Sequence, residues 1–325
     1  MKQLLIGALS YIEIKDFAAE AIILEEQINL IKDTYPIEKE FLTESFIKKI
    51  GLINFEKLTT GLTHCSVLEI DQVVNDHYET NPSLLVNDYL GLVNAFQIAL
   101  WFVKDNSVNT GNLYSYKTTR DEVEIINTST LYSNSAGEYC NTYFSLEELK
   151  QAISWLKIIK PHLYTEEFNT NSKEMTNARN HRKNMQYKEF NRIVKSLMLI
   201  SNARNDSFLP SKISSYMSAV EALIASDRDS LTMQVSERVA VLVGNSRDDK
   251  LQIHDSLREA YKARSSFVHG DNLSNNIERR IEEISRETDD IVRRLIIKVI
   301  TDFPEIAELN PEKLKKWYKE KLLFT

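Results

Sequence analysis

The sequence predicts a mainly α-helical protein, with a C-terminal helical bundle and an N-terminal α+β part that is mostly helical. Three observations support this prediction. Glycine and proline are scarce, 8 and 6 among 325 residues, which argues against the frequent turns of a many-stranded barrel or sandwich. Apolar residues make up 42% of the chain, enough for a sizeable core. After about residue 180, one helical apolar pattern follows another.

The charge divides the chain into two parts. Residues 1–171 carry 13 Lys and Arg against 24 Asp and Glu, whereas residues 172–325 carry 27 against 23. A polar, Asn-rich stretch over 167–180 separates them, so we expect domains at 1–170 and 171–325. The acidic first domain suits a sensor or regulatory role, and only the second suits a polyanionic partner.

In the N-terminal domain, apolar spacing predicts helices over 17–32, over 40–55 with an interruption at Gly51, and over 83–103. Aromatic and β-branched segments, separated by turn residues, predict two or three short strands, at 113–117, 123–128 and 139–144. Ser145 and Glu148 have the spacing of a capping box, which opens a helix to about Ile159, before Pro161.

In the C-terminal domain, helical spacing and capping residues predict five helices and a short terminal one. They cover 183–202, 213–225 after Pro210, a segment from Leu231 to Gly244 capped by Asp229 or Ser230, 247–268 between Ser246 and Gly270, 277–299, and a last helix from Asn310-Pro311. The face of the fourth helix expected inward consists of Leu251, Leu257, Ala260, Tyr261, Ala263 and Phe267 or Val268.

Several classes of site are excluded or disfavoured. There is no Gly-rich phosphate loop, and Cys65 and Cys140 are too far apart in sequence for a CxxC metal site or a disulfide framework. The spacing of Asp71, Asp76, His77 and Glu79 does not converge on one ion, and the adjacent side chains of His64 and Cys65 diverge. We expect no metal and no cofactor.

The sequence also lacks signs of a membrane or secreted protein. The longest apolar stretch, 90–103, is about 14 residues and includes Asn94 and Gln97, too short and too polar to span a bilayer. Residues 1–10 are not followed by a small-residue cleavage site. With so few cysteines, these features favour a cytoplasmic location and no membrane partner.

The strongest chemical signal is Arg264-Ser265-Ser-Phe-Val-His269-Gly270, at the end of the fourth predicted helix. Five helical steps turn about 500°, so Arg264 and His269 do not share a face of a continuous helix. They can converge if the helix ends near Val268 and Gly270 allows a left-handed turn. His269 at a helix C-terminus lies where the dipole favours positive charge. Taken as spacing alone, a surface Arg with a capping His is the commoner arrangement.

The run from Phe190 to Asp271 resembles the HEPN domain of the ApeA-like kind, and the likeness extends over roughly 180–300. It rests on the helices at 191–197, 212–223 and 236–244 and on the segment Tyr261–Gly270. The hallmark of that family is Arg-x4–6-His with a small polar residue directly after the Arg. Arg264, Ser265 and His269 satisfy it.

The resemblance implies a compact helical bundle that pairs with a second copy, so that the two motif segments face each other. Members with the motif intact are commonly metal-independent endoribonucleases, often in toxin and anti-phage abortive-infection systems. Other members are inactive and act as scaffolds or nucleotide binders. The implied partners are RNA, a second copy of the chain, and an antitoxin or sensor protein.

The residue types suit RNA cleavage. A His can transfer protons near neutral pH, and an Arg binds phosphate oxygens where charge develops. A symmetric dimer supplies two His for two proton transfers, and the products are a 2′,3′-cyclic phosphate and a 5′-hydroxyl. We therefore expect Arg264 and His269 to be catalytic, with Ser265 in a positioning role.

Two further sets of residues have open alternatives. Glu221 lies on the inward side of its helix, where it either orients Arg264 or another motif residue or forms a structural ion pair, for instance with Arg238. Arg182, Lys183 and Lys262 could contact an RNA backbone, but a solvated charged surface is the simpler interpretation.

Overall fold

The computed structural model describes residues 2–15, 21–25, 28–32, 37, 40–69, 82–128, 130–163, 190–226 and 231–324. The chain divides into two compact units. The sheet unit consists of residues 1–131 and 139–184, and the helical unit of residues 132–138 and 185–325. The domain boundary predicted at 170/171 lies outside the described residues.

The sheet unit contains a six-stranded antiparallel sheet in the order β3-β4-β5-β1-β6-β7, and a two-stranded parallel pair, β2 and β8. The strands are β1 (Lys2–Ser10), β2 (Ile12–Ile14), β3 (Ile22–Glu25), β4 (Ile28–Ile31), β5 (Thr63–Glu69), β6 (Asn109–Lys117), β7 (Glu122–Ile126) and β8 (Thr142–Phe144). The helices of this unit are α1 (Glu44–Ile50), α2 (Leu52–Thr60), α3 (Pro82–Val103) and α4 (Leu146–Leu163).

Side chains pack on both faces of the central strand β1. Leu4 and Ile6 belong to an apolar cluster that includes Phe46 of α1 and Leu58 of α2. Leu5, on the alternate face, is also fully buried. A strand covered on both sides has a continuous apolar sequence without polar alternation, which is why the pattern at 2–10 did not predict it.

The helix predicted over 17–32 is wrong for the residues that the structure describes there, because these form β3 and β4. Exposed Ile23 beside buried Leu24 follows the two-residue period of a strand. Four of the residues at 22–31 are isoleucine, which favours strands. The β part is accordingly a six-stranded sheet and not the small element that we expected.

Other predictions in this unit are confirmed. Helices α1 and α2 are separated by Gly51, whose φ of +84° suits glycine, and the strands at 109–144 lie where aromatic and β-branched residues placed them. The capping box is formed: the Ser145 N–H donates to Glu148 Oε2 at 2.8 Å, and the Glu148 N–H donates to Ser145 Oγ at 3.1 Å. The predicted end before Pro161 is wrong, because α4 continues through Pro161 to Leu163, and this proline in the last turn removes one backbone donor without ending the helix.

The helical unit consists of α5 (Arg192–Arg204), α6 (Leu209–Ile224), α7 (Leu231–Val243), α8 (Arg247–His269), α9 (Asn275–Asp302), a 3-10 turn (Pro304–Glu308) and α10 (Pro311–Phe324). These bounds confirm the predicted helices where they are described. The start predicted at 183 is wrong, because α5 begins at Arg192: Asn191 has an extended backbone, and its side chain caps the helix by accepting from the Val194 N–H at 3.0 Å. The caps Asp229 and Ser230 lie outside the described residues. Ser246 caps α8 by accepting from the Asp249 N–H, and Asn310 accepts from the Lys313 N–H.

Residues 132–138, which we call the insert, pack within the helical unit although the chain on both sides belongs to the sheet unit. The Ser133 N–H donates to the Arg204 carbonyl at 2.7 Å, and Ser285 Oγ of α9 donates to the Ser135 carbonyl at 2.5 Å. Tyr132 and Ser133 are buried. Buried backbone needs such partners, so the insert is an integral part of this unit.

The expected mainly helical character is confirmed. Among the described helices, none combines the length and the apolar character needed to cross a membrane.

Candidate functional site

Helix α8 continues through His269, and Gly270 follows in the left-handed region at φ +75°. The Asp271 N–H donates to the Ser266 carbonyl at 2.8 Å, which closes the helix end in the manner of a glycine cap. The predicted glycine turn is confirmed, but the helix does not end before His269. Side chains five residues apart on a helix point about 140° apart. The condition for Arg264 and His269 to converge within one chain is therefore not met.

Arg264 instead binds Glu221 of α6. Its Nη2 donates to Glu221 Oε2 at 3.0 Å, and Nη1 lies 2.9 Å from Oε1. Such a two-point contact fixes the plane of the guanidinium as well as its position. The two side chains are 26% and 17% exposed, so the pair is shielded from most solvent.

Tyr261 completes this cluster, because its hydroxyl donates to Glu221 Oε1 at 2.8 Å. Burial and the negative charge of Glu221 both raise the pKa of Tyr261 well above its ordinary value, so this group stays a donor. The cation of Arg264 lies 5.9 Å from the centre of the Tyr261 ring. Nε of Arg264 is buried and has no hydrogen-bond partner among the described residues.

Glu221 pairs with Arg264 in the structure, a contact that fits a residue orienting Arg264 and fits a structural ion pair equally well. Arg238 donates instead to the Ile224 carbonyl and to Ser226 Oγ, both at 3.0 Å. It contributes to the C-terminal end of α6, where helix carbonyls lack partners within the helix. The arginine that Glu221 contacts is therefore Arg264.

His269, Ser265 and Lys262 are exposed. Their spacing of four and three residues places them along one side of α8, so they form a row. The His269 imidazole makes no hydrogen bond or ion pair to another described residue and is open to a ligand. Arg182 and Lys183 lie outside the described residues.

The inward face predicted for α8 is wrong at Leu251 and at its last position, for which Phe267 and Val268 were the alternatives. Leu251, Phe267 and Val268 are 54%, 39% and 58% exposed. Phe267 and Val268 lie in the last turn of the helix, and Phe267 makes an edge contact with Phe208 at 6.0 Å between ring centres. The apolar stripe in the sequence extends beyond the part of the helix that its neighbours cover.

His64 and Cys65 point to opposite faces of β5, as predicted for adjacent residues of one strand. The His64 ring is hydrogen-bonded to Tyr89 Oη at 2.8 Å and to Thr110 Oγ1 at 2.7 Å. Burial lowers the pKa of His64 to about 3 and raises the pKa of Cys65 to about 12. Cys65 packs in the apolar cluster and His64 is fully bonded, so the two cannot form a catalytic dyad.

Metal ligands are not assembled in the described part of the chain, which holds no group of three or more His, Cys, Asp or Glu side chains suited to an ion. Asp71, Asp76, His77 and Glu79 lie outside the described residues.

No family model, curated protein or solved structure matches the chain.

Sequence reasoning did not single out Tyr261 for the site. Its position three residues before Arg264 was a usable signal, because residues three apart on a helix are neighbours on its surface. A Tyr in that position can share a carboxylate partner with the Arg. The choice of Glu221 as that partner depends on how α6 and α8 pack, which no local pattern contains.

Proposed function

We propose that the protein is a metal-independent endoribonuclease of the HEPN type, which acts in the cytoplasm as a homodimer. The observation that supports this best is the contrast between two motif residues on one helix. Arg264 is held rigidly by Glu221 and Tyr261, and His269 is exposed and unengaged at the end of α8. An oriented cation and an accessible imidazole are what the cleavage of a phosphodiester requires.

The reaction assigns each group a step. One His269 accepts the proton of the 2′-hydroxyl while the O2′–P bond forms and the P–O5′ bond breaks. The second copy's imidazolium gives its proton to the departing O5′, which leaves a 2′,3′-cyclic phosphate and a 5′-hydroxyl. One chain offers one such imidazole, so the chemistry gives a reason for pairing.

Arg264 stabilises the charge that develops on phosphorus oxygens. A guanidinium carries five N–H donors, and Glu221 engages only part of them. Glu221 and Tyr261 are positioning residues in this mechanism, and Ser265 is a further one on the exposed side of α8. Regulation by an antitoxin or sensor protein and a role in growth arrest or phage defence complete the proposal.

The test measures cleavage of a labelled RNA in excess EDTA by the full chain and by His269→Ala, Arg264→Ala and Arg264→Lys. Loss of cleavage in all three, with product ends as above, supports the proposal. Full activity of His269→Ala and Arg264→Ala overturns the motif assignment, and loss of wild-type activity with EDTA overturns metal independence.

Two variants serve as matched controls. His254→Ala removes another His of α8, one that bonds Asp255. Arg280→Ala removes an Arg that binds Glu259 through both carboxylate oxygens, as Arg264 binds Glu221. Both should keep wild-type cleavage. Arg264→Lys keeps the positive charge and part of the contact with Glu221, so its fold should be retained. Loss of cleavage with an unchanged melting temperature in this variant would therefore reflect loss of activity and not loss of fold.

A second function has one observation in its favour. Both Nη groups of Arg264 contact Glu221, as they would in a purely structural ion pair. On this alternative the helical unit is a non-catalytic HEPN module that dimerises and scaffolds a partner protein or binds a nucleotide. Dimerisation of the wild type without cleavage of any RNA tested would favour it.

A further inference from the structure

The outer side of α8 carries a row of exposed residues that ends at His269. Arg258, Lys262, Ser265 and His269 follow one another at intervals of four, three and four residues, and all four are exposed. This spacing keeps side chains on one side of a helix. From Arg258 to His269 the row extends about 16 Å along the axis. Its chemistry is cationic or hydrogen-bonding throughout.

The cations of this row lack the ion pairs that neighbouring arginines have. Neither Arg258 nor Lys262 forms a salt bridge to another described residue. Two acidic residues of the helix lie beside the row, and each contacts another side chain: Asp255 lies 3.0 Å from His254 Nδ1, and Glu259 is bound by Arg280 at 2.8 Å. Five other arginines of α8 and α9 are in salt bridges: Arg264, Arg280, Arg286, Arg293 and Arg294.

The end of α8 is otherwise unfavourable for an anion. The C-terminus of a helix carries a partial negative charge, and Asp271 adds a full one directly after Gly270. A phosphate group that approaches His269 therefore needs compensating positive charge nearby. Lys262 and Arg258 lie two and three turns before His269 and supply this positive charge, and neither forms an ion pair within the described part of the chain that it would have to give up.

We infer that this row binds the phosphate backbone of RNA and guides the strand to His269. The inference rests on the proposed function, since it concerns how substrate reaches the same imidazole. It adds Arg258 to the substrate contacts and assigns Lys262 to the same row. Because both contacts go to phosphate, the binding is independent of base sequence.

The experiment measures binding without cleavage. The probe is a fluorescein-labelled RNA with 2′-O-methyl riboses, which has no free 2′-hydroxyl to attack phosphorus. Fluorescence anisotropy with the full chain is recorded over a series of KCl concentrations. Arg258→Ala and Lys262→Ala should each weaken binding severalfold and should each reduce the slope of log affinity against log salt by about 0.7–1, the loss of one phosphate contact.

Arg279→Ala is the matched control. Arg279 is an exposed arginine near the start of α9 that also lacks an ion pair to a described residue. Its removal changes the net charge equally and should leave both affinity and slope unchanged. An equal effect in all three variants would reflect net charge alone and would overturn the row, as would no effect in any of them.

Two other outcomes distinguish failure of this inference from failure of the proposed function. A change in oligomeric state by analytical ultracentrifugation, in Arg258→Ala or Lys262→Ala, would make this side of α8 an interface between copies and would overturn the inference. Failure of the wild type to cut natural RNA would overturn the nuclease proposal, while salt-dependent binding that requires Arg258 and Lys262 would still support the row.

Discussion

Two histidines, one in each unit, have opposite surroundings. His64 of β5 is enclosed and bonded at both ring nitrogens, and its position on the sheet requires Gly7 on the neighbouring strand. His269 ends α8 in solvent with neither nitrogen engaged by a described residue. The residue type alone therefore does not indicate the chemistry of a histidine. The His64 imidazole is buried in the sheet unit, and the His269 imidazole is exposed to solvent.

The sharpest way to test this contrast is to remove each imidazole in turn. His269→Ala should lower RNA cleavage by about a hundredfold or more, the contribution of a general acid or base, with an unchanged melting temperature. His64→Ala should do the reverse: the free energy of unfolding falls by about 2–4 kcal/mol, and the activity per folded molecule is retained. For each variant, the cleavage rate gives the activity and urea unfolding of the same preparation gives the free energy of unfolding. A His64→Ala protein as stable as the wild type would show that the buried imidazole contributes little to the fold.

The burial of His64 also predicts how the free energy of unfolding depends on pH. In the unfolded chain His64 binds a proton as the pH falls below about 6.5, whereas the folded protein binds it only near a pKa of about 3. The unfolded state therefore binds more protons than the folded state, and the free energy of unfolding decreases as the pH decreases from about 6.5 towards 3. Between pH 6.5 and 4.5 the loss should reach about 2–3 kcal/mol.

His64→Gln, which keeps a donor and an acceptor, is the control for this measurement. Its unfolding free energy, taken from urea titrations at each pH, should vary less over the same window. An equal slope in His64→Gln and wild type would assign the effect to other groups.

A substitution at Gly7 tests how tightly the His64 ring is packed, with a smaller expected loss of stability. A Cβ at this position would lie 2.6 Å from Cε1 of the His64 ring, so Gly7→Ala should cost about 1–3 kcal/mol. Gly111→Ala in β6 is the matched control, since its Cβ would have its nearest contact at 3.7 Å, an ordinary distance. Urea unfolding compares them. Combining Gly7→Ala with His64→Ala should cost less than the sum of the two single changes.

The smallest expected effect concerns the insert. Ser133 Oγ donates to the Asp206 carbonyl at 2.8 Å, and Ser133→Ala should lower the free energy of unfolding of the helical unit by about 1–2 kcal/mol. Ser154→Ala removes an exposed hydroxyl bonded within its own helix and should change little. Equal stability of the two variants in urea unfolding would show that the insert contributes less than its burial suggests.

Much of the helical unit could be predicted, because its signals are local. Ser246, Gly270 and Asn310 act on residues within a few positions, and their caps formed as expected. The sheet was harder to predict from the sequence, because its strand pairs are distant along the chain. Strands β1 and β5 pair across about sixty residues, and β1 has no polar alternation because both of its faces are covered. The apolar spacing at 22–31 is also compatible with a helix, and the pairing of β4 with β5, which local spacing does not contain, is what makes it a strand.

The candidate site divides in the same way. Arg264 and His269 could be found from their motif, since their types and order are in the sequence. The partner of Glu221 could not be, because Arg238 and Arg264 are both possible until the packing of α6 and α8 chooses one. The insert was missed entirely, since Ser135 meets Ser285 across 150 residues of sequence.

The insert makes the two units inseparable by a single break in the backbone. A protease that cut between residues 163 and 190 would produce an N-terminal fragment whose residues 132–138 remain hydrogen-bonded to α5 and α9 of the C-terminal fragment. The two fragments would elute together in size-exclusion chromatography under native conditions and would separate only in denaturant. Release of an unrestrained helical fragment would therefore require the extraction of a seven-residue segment, five residues of which are buried.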